Sequence, residues 1–373
     1  MSGTIITGTG LYTPEDSITN AELVESLAVA VERFNRDNAD AIAAGRLEER
    51  DLPTERFILK ASGIEHRYVV DKRGVLDPER LRPRLPLRGE DELSIQCEMA
   101  LAAVRPALEE AGRRPQDVDA VLVACSNLQR AYPAVAIEVQ NALGASGWAY
   151  DLNVACSSAT FGIQAAVDAV RNGNARCAVV VNPEITSGHT NFVLRDYHFI
   201  FGDACTAVVV ESTERAERGF EVLGTRLQTK FSNNIRNDFG FLNSSEDGER
   251  DPHELLFRQN GRRVFREVCP MVADHILEHL TERDLQPADL KRLWLHQANL
   301  SMNQLISKTV LGRMPEPHEA PVILHRYANT SSAGSVIAFH EHRADLAAGD
   351  LGVLCSFGAG YSIGSVILRK SGA

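Results

Sequence analysis

The chain has 373 residues, with 39 Lys and Arg against 50 Asp and Glu, so its formal net charge is −11. This acidic balance argues against a nucleic-acid-binding protein, which needs a basic face to neutralise phosphates. The composition, 44% hydrophobic and 24% charged, is that of an ordinary globular protein. No apolar run reaches the ~20 residues that span a bilayer. The length favours two domains or one large duplicated domain.

The cysteines show no pattern of disulfides or metal ligands. They lie at positions 97, 125, 156, 177, 205, 269 and 355, with no CxxC pair and no Cys/His cluster at zinc spacing. The first residues also lack the basic and apolar stretches of a signal peptide. These features favour a reducing cytoplasm. Cys125, Cys177, Cys205 and Cys355 border apolar runs and are expected to be small core residues, whereas Cys156 stands in a different context.

Short apolar runs alternate with helix-like stretches, which is typical of a layered α/β protein. Their apolar content is continuous rather than alternating, so the strands are expected to be covered on both faces. The predicted strands are Ile5–Gly8, Ala120–Cys125, Ala178–Asn182, Ala207–Glu211, Val222–Leu227, Arg292–His296, Gly352–Ser356 and Gly364–Arg369.

The two halves of the chain resemble each other. The similar pieces are, in pairs, the helices Ile95–Ala111 and Val264–Arg283, the turn-and-strand segments 116–123 and 287–295, and the segments 201–209 and 357–366. Such a repeat indicates two similar α/β halves, residues 1–215 and 216–373. Two charge-rich segments, Val31–Leu52 and Asp71–Asp91, are expected to be insertions on the surface of the first half.

The strongest local pattern surrounds Cys156, in the segment 153–162. A short apolar approach ends at this cysteine, and a helical pattern then continues to about Arg171. Ser157 and Ser158 are expected to cap the start of the helix, which places the sulfur at a helix N-terminus. The positive end of the helix dipole favours thiolate over thiol, as a catalytic nucleophile requires. A buried structural cysteine is the alternative.

Three further motifs accompany Cys156. His296–Asn299 follows directly on a buried strand, where open α/β sheets place their sites; the alternative is a hydrogen-bonded core histidine. The segment 327–335 is a turn leading into a predicted helix at 338–347, and the alternative is an ordinary N-cap. The segment 357–364 is rich in Gly, and the alternative is a tight turn. All four motifs in this order point to one site.

This combination closely resembles the 3-oxoacyl-[acyl-carrier-protein] synthase III family, condensing enzymes of the thiolase fold, over essentially the whole chain apart from the two insertions. The matching motifs are Ala155-Cys156-Ser157, His296-Gln297-Ala298-Asn299, Asn329-Thr330-Ser331 and Gly358-Ala359-Gly360. A Cys–His–Asn set distinguishes this family from elongating synthases, which use Cys–His–His, and from thiolases, which add a second Cys. The resemblance implies two similar α/β halves stacked as a five-layer αβαβα sandwich.

The resemblance also implies a reaction, decarboxylative condensation in fatty-acid biosynthesis. Cys156 would take the acyl group from acyl-CoA, and malonyl-acyl carrier protein would then lose CO2 and attack the acyl-enzyme to give 3-oxoacyl-carrier protein. His296 and Asn329 would hydrogen-bond the malonyl thioester oxygen, and the backbone N–H groups of Cys156 and Ala359 would form the second oxyanion hole. A cytoplasmic homodimer is implied, with no cofactor and no metal ion.

Further positions match substrate contacts of the family. The implied CoA and pantetheine contacts are Arg195, Gly261 and Asn299; the acyl-pocket positions are Tyr132, Phe201 and Phe257; and the carrier-protein docking positions are Arg262, Arg266 and Lys308. In the family, the residue at position 132 reaches across the dimer. Phe57 replaces the Trp that stacks on adenine, and Ala61 replaces a nearby Arg, so the grip on the nucleotide differs. An ordinary solvated helix face is the alternative for the docking arginines.

We predict a medium-chain primer near octanoyl-CoA, because the chain resembles longer family variants with similar insertions. The hydroxyl of Tyr132 prefers a polar partner, which favours a ring turned toward the rim of an open tunnel. Each buried methylene then contributes ~0.8 kcal/mol. The alternatives are a condensing enzyme of the same fold that makes a secondary metabolite or joins two acyl-CoA molecules, a non-catalytic thiolase-fold subunit, and a thiol hydrolase.

Overall fold

The computed structural model describes residues 3–238, 240 and 255–372. The helices are α1 (Asn20–Asp37), α2 (Ala39–Ala43), α3 (Glu55–Ser62), α4 (Lys72–Val75), α5 (Ile95–Glu110), α6 (Val135–Leu143), α7 (Ser158–Arg171), α8 (Gly261–Thr281), α9 (Leu300–Leu311), α10 (Leu324–Tyr327) and α11 (Ala333–Glu341). The strands are β1 (Thr4–Tyr12), β2 (Ser17–Thr19), β3 (His66–Tyr68), β4 (Ala120–Ala124), β5 (Trp148–Leu152), β6 (Cys177–Glu184), β7 (Ala204–Ser212), β8 (Phe220–Ser232), β9 (Ile235–Arg236), β10 (Arg258–Gln259), β11 (Leu290–Leu295), β12 (Leu351–Gly358) and β13 (Gly360–Lys370). Every strand predicted from an apolar run is present.

The main sheet repeats one topology twice. Within the described residues its strand order is β11-β12-β13-β8-β1-β7-β6-β4-β5. In the first half β1 pairs antiparallel with β7, β7 antiparallel with β6, and β6 parallel with β4. In the second half β8, β13, β12 and β11 pair in the same sequence of directions. The expectation of two similar α/β halves is therefore confirmed. The proposed division at residue 215 stays a prediction and falls in the connection between β7 and β8.

The helices form three layers around the strands. α7 and α11 each contact strands of both halves, so they form the middle layer. α5 and α6 pack on the outer face of the first half, while α8 packs on the outer face of the second half with α9 against it. The arrangement is a five-layer αβαβα sandwich, as expected. The two halves are also joined at one edge, where Ile5 and Ile6 of β1 pair with Glu221 and Phe220 of β8.

Helix α11 lies earlier in the chain than predicted, since it begins at Ala333 rather than 338 and ends at Glu341 rather than 347. Residues 333–339 are all buried between the two halves. A helix covered on every side carries no amphipathic period, so its start is not visible in the apolar pattern.

The two insertions contribute to the core, which corrects the expectation that they are only surface additions. Val31, Val75 and Leu81 are buried in one cluster with Phe199 and Phe201. The insertions therefore pack against the part of the core that contains these two aromatic rings. No described helix is both long enough and apolar enough to cross a membrane.

Buried histidines make the fold sensitive to acid. Burial lowers the pKa of His189, His198, His275 and His296 to about 4, and that of His279 to about 3. As the pH falls below the ordinary value of 6.5, the unfolded chain binds protons at these side chains and the folded protein does not. Burial raises the pKa of Asp203 to about 6 and also raises the pKa of Asp151 and Glu184, which acts in the opposite direction but at fewer groups than the five histidines.

We therefore predict that the melting temperature falls as the pH is lowered from about 6.5 to about 4, measured by circular dichroism. His279→Asn should flatten part of this slope, whereas His318→Asn, at an exposed position, should leave it unchanged. A melting temperature that stays constant over this window would contradict the prediction.

Candidate active site

Cys156 lies in the turn between β5 and α7, and local side chains hold this turn. Ala155 has a positive φ of 47°, and its N–H donates to Oδ1 of Asn153 at 2.9 Å. The Ser158 hydroxyl accepts from the N–H of Val154 at 2.8 Å and donates to the carbonyl of Ala155 at 2.7 Å. Such a backbone conformation persists only where its surroundings hold it, so the position of the sulfur is well determined.

The prediction that the two serines after the nucleophile cap α7 is wrong. Ser157 is the N-cap residue, yet its side chain makes no cap hydrogen bond and donates instead to the carbonyl of Ser362 at 3.0 Å. The Ser158 hydroxyl is occupied by the turn. Both side chains hold the loop in place rather than the first turn of the helix.

The thiol of Cys156 has three hydrogen-bond donors around it. The Ser331 hydroxyl donates to the sulfur at 3.5 Å, and the backbone N–H groups of Ala359 and Cys156 also lower the pKa of the thiol. Burial is the larger influence and, with the nearby charge of Glu184, raises the pKa to about 11. The expectation that a helix N-terminus leaves a thiolate is therefore wrong for the free protein, because desolvation of the anion outweighs the donors.

The glycine-rich turn between β12 and β13 packs directly against the nucleophile. A Cβ atom on Gly358 would lie 2.6 Å from Cβ and 3.0 Å from Sγ of Cys156, so only glycine fits there. Gly360 has a φ of 134°. Ala359 does not have a positive φ, so an alanine fits this position without backbone strain. Its backbone N–H hydrogen-bonds to the sulfur of Cys156, and its part in an oxyanion hole stays a prediction.

His296 directly follows β11, and its backbone N–H donates to the backbone carbonyl of Cys355 at 2.8 Å. The ring is buried edge-on against Phe357, with centroids 5.2 Å apart. Burial lowers the pKa of His296 to about 4, with a smaller opposing contribution from the backbone of Ser331. The imidazole is therefore neutral near pH 7 and carries one N–H with which to donate a hydrogen bond.

Gln297 has a role that the sequence did not indicate. Its side-chain NH2 donates to the carbonyl of Leu295 at 2.8 Å, and its oxygen accepts from the N–H of Ile323 at 3.0 Å. This buried amide fastens the end of β11 to the segment that leads into the Asn329 turn. It thereby helps to hold His296 and Asn329 on one side of the cavity.

Asn329 is fixed by its backbone and by one end of its amide. Its N–H donates to the carbonyl of Ile200 at 3.0 Å, and its carbonyl accepts from Gly202 at 3.2 Å. The side-chain oxygen accepts from the N–H of Ser331 at 2.9 Å. The side-chain NH2 group is thus left to donate, and its role at the malonyl thioester stays a prediction. The flanking Ala328 and Ser331 have positive φ values of 57° and 51°.

One cavity of about 910 Å³ brings most of the predicted residues together. Its lining includes Cys156, His296, Asn329, Arg195, Gly261, Asn299, Phe201, Phe257 and Arg262. Ala359 touches the site through its backbone, while Tyr132, Arg266 and Lys308 lie outside the lining. Among the described residues no group of three His, Cys, Asp or Glu side chains is placed to hold a metal ion.

The predicted nucleotide end of the cavity is built around Arg195. Its guanidinium lies 4.6 Å from the centroid of the Phe57 ring and pairs with Asp51, in the first insertion, at 2.7 Å. Asn299 caps α9 through Ser301, and its NH2 donates to the carbonyl of Ala61 at 2.5 Å. The arginine is thus already stacked on the aromatic ring that replaces the family's tryptophan.

The remaining predicted positions divide between the interior and the surface. Phe201 and Phe257 meet edge to face with centroids 4.7 Å apart, inside the cavity. Tyr132 is 80% exposed and does not obstruct the cavity of its own chain. The cationic positions Arg262, Arg266 and Lys308 are exposed on α8 and α9, and the described residues supply no ion-pair partner for them.

Comparison with known proteins gives consistent matches. Residues 150–230 match the family described as 3-oxoacyl-[acyl-carrier-protein] synthase III, and residues 280–370 match its C-terminal part. The chain is 60% identical over 349 residues to a beta-ketodecanoyl-[acyl-carrier-protein] synthase of Pseudomonas aeruginosa, covering 93% of this chain and 100% of the relative. It is 30% identical to a beta-ketoacyl-[acyl-carrier-protein] synthase III of Granulibacter bethesdensis, covering 99% of this chain and 100% of that protein. The priming beta-ketosynthase of the R1128 polyketide pathway shares the fold, with a TM-score of 0.78, 23% identity, and coverage of 100% of this chain and 98% of that one.

The contact between Ser331 and the sulfur gives a direct test of this geometry. Ser331→Ala removes a hydrogen bond to the thiolate form, so we expect the pKa of Cys156 to rise. Since a bond to a charged group contributes about 1.5 kcal/mol, alkylation by iodoacetamide at a fixed, mildly alkaline pH should slow about tenfold. Ser335→Ala is the control, because that hydroxyl contacts Ser356 instead. Equal rates in all three proteins would contradict the assignment.

Proposed function

The chain belongs to the 3-oxoacyl-[acyl-carrier-protein] synthase III family, and from this premise we propose that it condenses a medium-chain acyl-CoA, near octanoyl, with malonyl-acyl carrier protein. The products are 3-oxoacyl-carrier protein, CoA and CO2, so the protein is a condensing acyltransferase of fatty-acid biosynthesis. The observation that carries the proposal is the convergence of Cys156, His296 and Asn329 on one cavity. A complete set of this kind argues against the non-catalytic alternative.

The length of the primer is supported by the relative from Pseudomonas aeruginosa. That protein is named for a beta-ketodecanoyl product, which has ten carbons. A malonyl group contributes two carbons after losing CO2, which leaves an eight-carbon primer. The aromatic wall of Phe201 and Phe257 offers apolar surface to such a chain. At ~0.8 kcal/mol for each buried methylene, octanoyl is favoured over acetyl by a wide margin.

In the first half-reaction Cys156 attacks the thioester carbonyl of acyl-CoA. The sulfur–carbon bond to Cys156 forms, the bond to the CoA sulfur breaks, and the proton lost by Cys156 ends on the CoA thiol. The Ser331 hydroxyl stabilises the sulfur as it becomes anionic. The N–H groups of Cys156 and Ala359 then stabilise the oxyanion of the tetrahedral intermediate.

In the second half-reaction malonyl-carrier protein occupies the same cavity. The neutral imidazole of His296 and the NH2 of Asn329 donate to its thioester oxygen, which stabilises the enolate formed when CO2 leaves. The enolate carbon attacks the acyl group on Cys156, and the Cys156 sulfur leaves as thiolate and takes up a proton from water, the one proton that the overall reaction consumes. A neutral histidine suits this role because its ring N–H donates a hydrogen bond to the thioester oxygen and keeps its proton throughout the step.

The carrier protein is proposed to dock on the exposed face that carries Arg262, Arg266 and Lys308. Acyl carrier proteins are acidic, and this chain is acidic as well, so docking requires a local basic patch. Arg262 also lines the cavity, which connects the patch to the entrance. The proposal retains a cytoplasmic location, because CoA and carrier-protein thioesters are cytoplasmic substrates.

A homodimer is proposed through the open edge of β5. This strand ends the main sheet, and Asp151 on it accepts from the N–H groups of Val135 and Ala136 at the start of α6. Tyr150 on β5 and Ile137 on α6 expose apolar surface, and Tyr132 does so in the segment just before α6. An open strand edge beside an apolar patch is typical of an interface. Pairing of two copies at this edge would bring Tyr132 of one copy to the acyl pocket of the other.

The two half-reactions can be separated by mutation. Cys156→Ala should abolish acylation and condensation but retain slow decarboxylation of malonyl-carrier protein, because His296 and Asn329 remain. His296→Ala should still be acylated, while condensation falls by about 10²–10³, the usual loss for an oxyanion donor. Intact-mass spectrometry measures the acyl-enzyme and CO2 release measures decarboxylation. Full condensing activity in either variant would refute the proposed roles.

Primer length is tested by kcat/KM across acyl-CoA substrates from acetyl to dodecanoyl. We expect the maximum near octanoyl, because each methylene up to the end of the tunnel adds binding energy. Phe201→Trp fills part of the cavity and should move the maximum to shorter primers. Phe231→Trp is the control, since Phe231 is exposed and outside the cavity lining. A maximum at acetyl-CoA in the unmodified protein would overturn the medium-chain assignment.

A further inference from the structure

Glu184 is a buried carboxylate to which neither the motifs nor the proposed reaction gives a role. It ends β6 and is fully buried. It accepts from the N–H of Ser126 at 3.0 Å and from the Ser126 hydroxyl at 2.5 Å. It also accepts from the N–H of Ser332 at 3.1 Å and from the Ser332 hydroxyl. The described residues place no cation in an ion pair with it; burial raises the pKa of this carboxyl, and the neutral donors of Ser126 and Ser332 oppose that rise.

These donors come from the two parts of the active site. Ser126 follows β4, and its carbonyl accepts from the NH2 of Asn153 at 2.8 Å. Asn153 in turn fixes Ala155, the residue before the nucleophile. Ser332 stands at the start of α11, directly after the Asn329–Ser331 turn. One carboxylate therefore connects the nucleophile turn of the first half to the Asn329 turn of the second half.

The Asn329 turn has a structural need for such a connection. Ala328 and Ser331, on either side of Asn329 and Thr330, both have positive φ values, which residues other than glycine rarely adopt. Backbone strain of this kind persists only where neighbouring contacts hold it. The bonds from Ser332 to Glu184 act on the residue next to Ser331, and the positive end of α11 favours an anion at this point.

We propose that Glu184 is a positioning residue that holds the Asn329 turn at its working distance from the nucleophile turn. The inference rests on the proposed function, because it assigns Asn329 a part in decarboxylation. The carboxylate makes no hydrogen bond to the Cys156 thiol and acts through Ser126 and Ser332, while the buried Cys125 thiol also donates to it at 3.5 Å. Glu184 therefore has two opposing effects. It holds the Asn329 turn in place, and its charge raises the pKa of Cys156, which makes the thiol less reactive.

These two effects give two measurements, the rate of decarboxylation and the rate of alkylation of Cys156. A residue that only stabilised the fold would not change the two rates in opposite directions. Glu184→Gln removes the charge and puts an NH2 group among donors. We expect decarboxylation of malonyl-carrier protein without primer to fall at least tenfold in kcat, and about 10²-fold if the turn moves by about 1 Å. Alkylation of Cys156 by iodoacetamide at fixed pH should become faster, because the negative charge near the sulfur is gone.

Ser332→Ala is the second variant and keeps the carboxylate charge. It removes one hydroxyl donor, so decarboxylation should fall while alkylation of Cys156 is not accelerated. Glu211→Gln is the matched control. Glu211 is also fully buried, but it is held by Arg113 at 2.7 Å and Thr7 at 2.9 Å, away from the site. This control is expected to lower the melting temperature and to leave both readouts at the values of the unmodified protein.

The outcomes distinguish the inference from the function on which it rests. If the unmodified protein does not decarboxylate malonyl-carrier protein, the proposed function is wrong. If it does so and folded Glu184→Gln and Ser332→Ala proteins decarboxylate at the same rate, Glu184 does not position the turn. If Glu184→Gln fails to fold, Ser332→Ala alone decides between these results.

Discussion

The active site depends on one close contact, between the Cys156 side chain of the first half and the backbone of Gly358 in the second. There is no space at Gly358 for even a methyl group. The close packing directs the N–H of Ala359 to the sulfur and brings the ends of β11 and β12 over the turn after β5. Carboxyl ends of parallel strands are where α/β proteins build their sites, and here two such edges face each other. Neither half alone holds the full set of reactive groups.

The enclosure that creates this contact also sets the charge of the reactive groups. Burial raises the pKa of Cys156 and lowers that of His296, so both are neutral in the free protein near pH 7. An ion pair of thiolate and imidazolium would require the opposite shifts. In the proposed mechanism the site therefore works with neutral donors, placed where negative charge develops only during the reaction. Such preorganised donors act most strongly where water is excluded.

Much of this architecture could be predicted from the sequence. Continuous apolar runs identified the strands, and four local motifs taken together identified Cys156, His296 and Asn329. β5 was not predicted, because its residues are half exposed and form no apolar run. The roles of Gln297 and Glu184 depend on partners far away in sequence, which no local pattern records. The raised pKa of Cys156 was also missed, because burial of the sulfur is a property of the assembled halves.

The repeat is incomplete, and this has a consequence for assembly. The first half ends its part of the sheet with β5, and the second half has no described counterpart to that strand, so β11 forms the other edge. The edge at β11 is partly covered, because the N–H of Leu293 donates to the carbonyl of Glu319 at 2.7 Å. A sheet with one open edge and one obstructed edge can join a second copy about a two-fold axis, and growth then ends. The same asymmetry protects against the fibres that two open edges would allow.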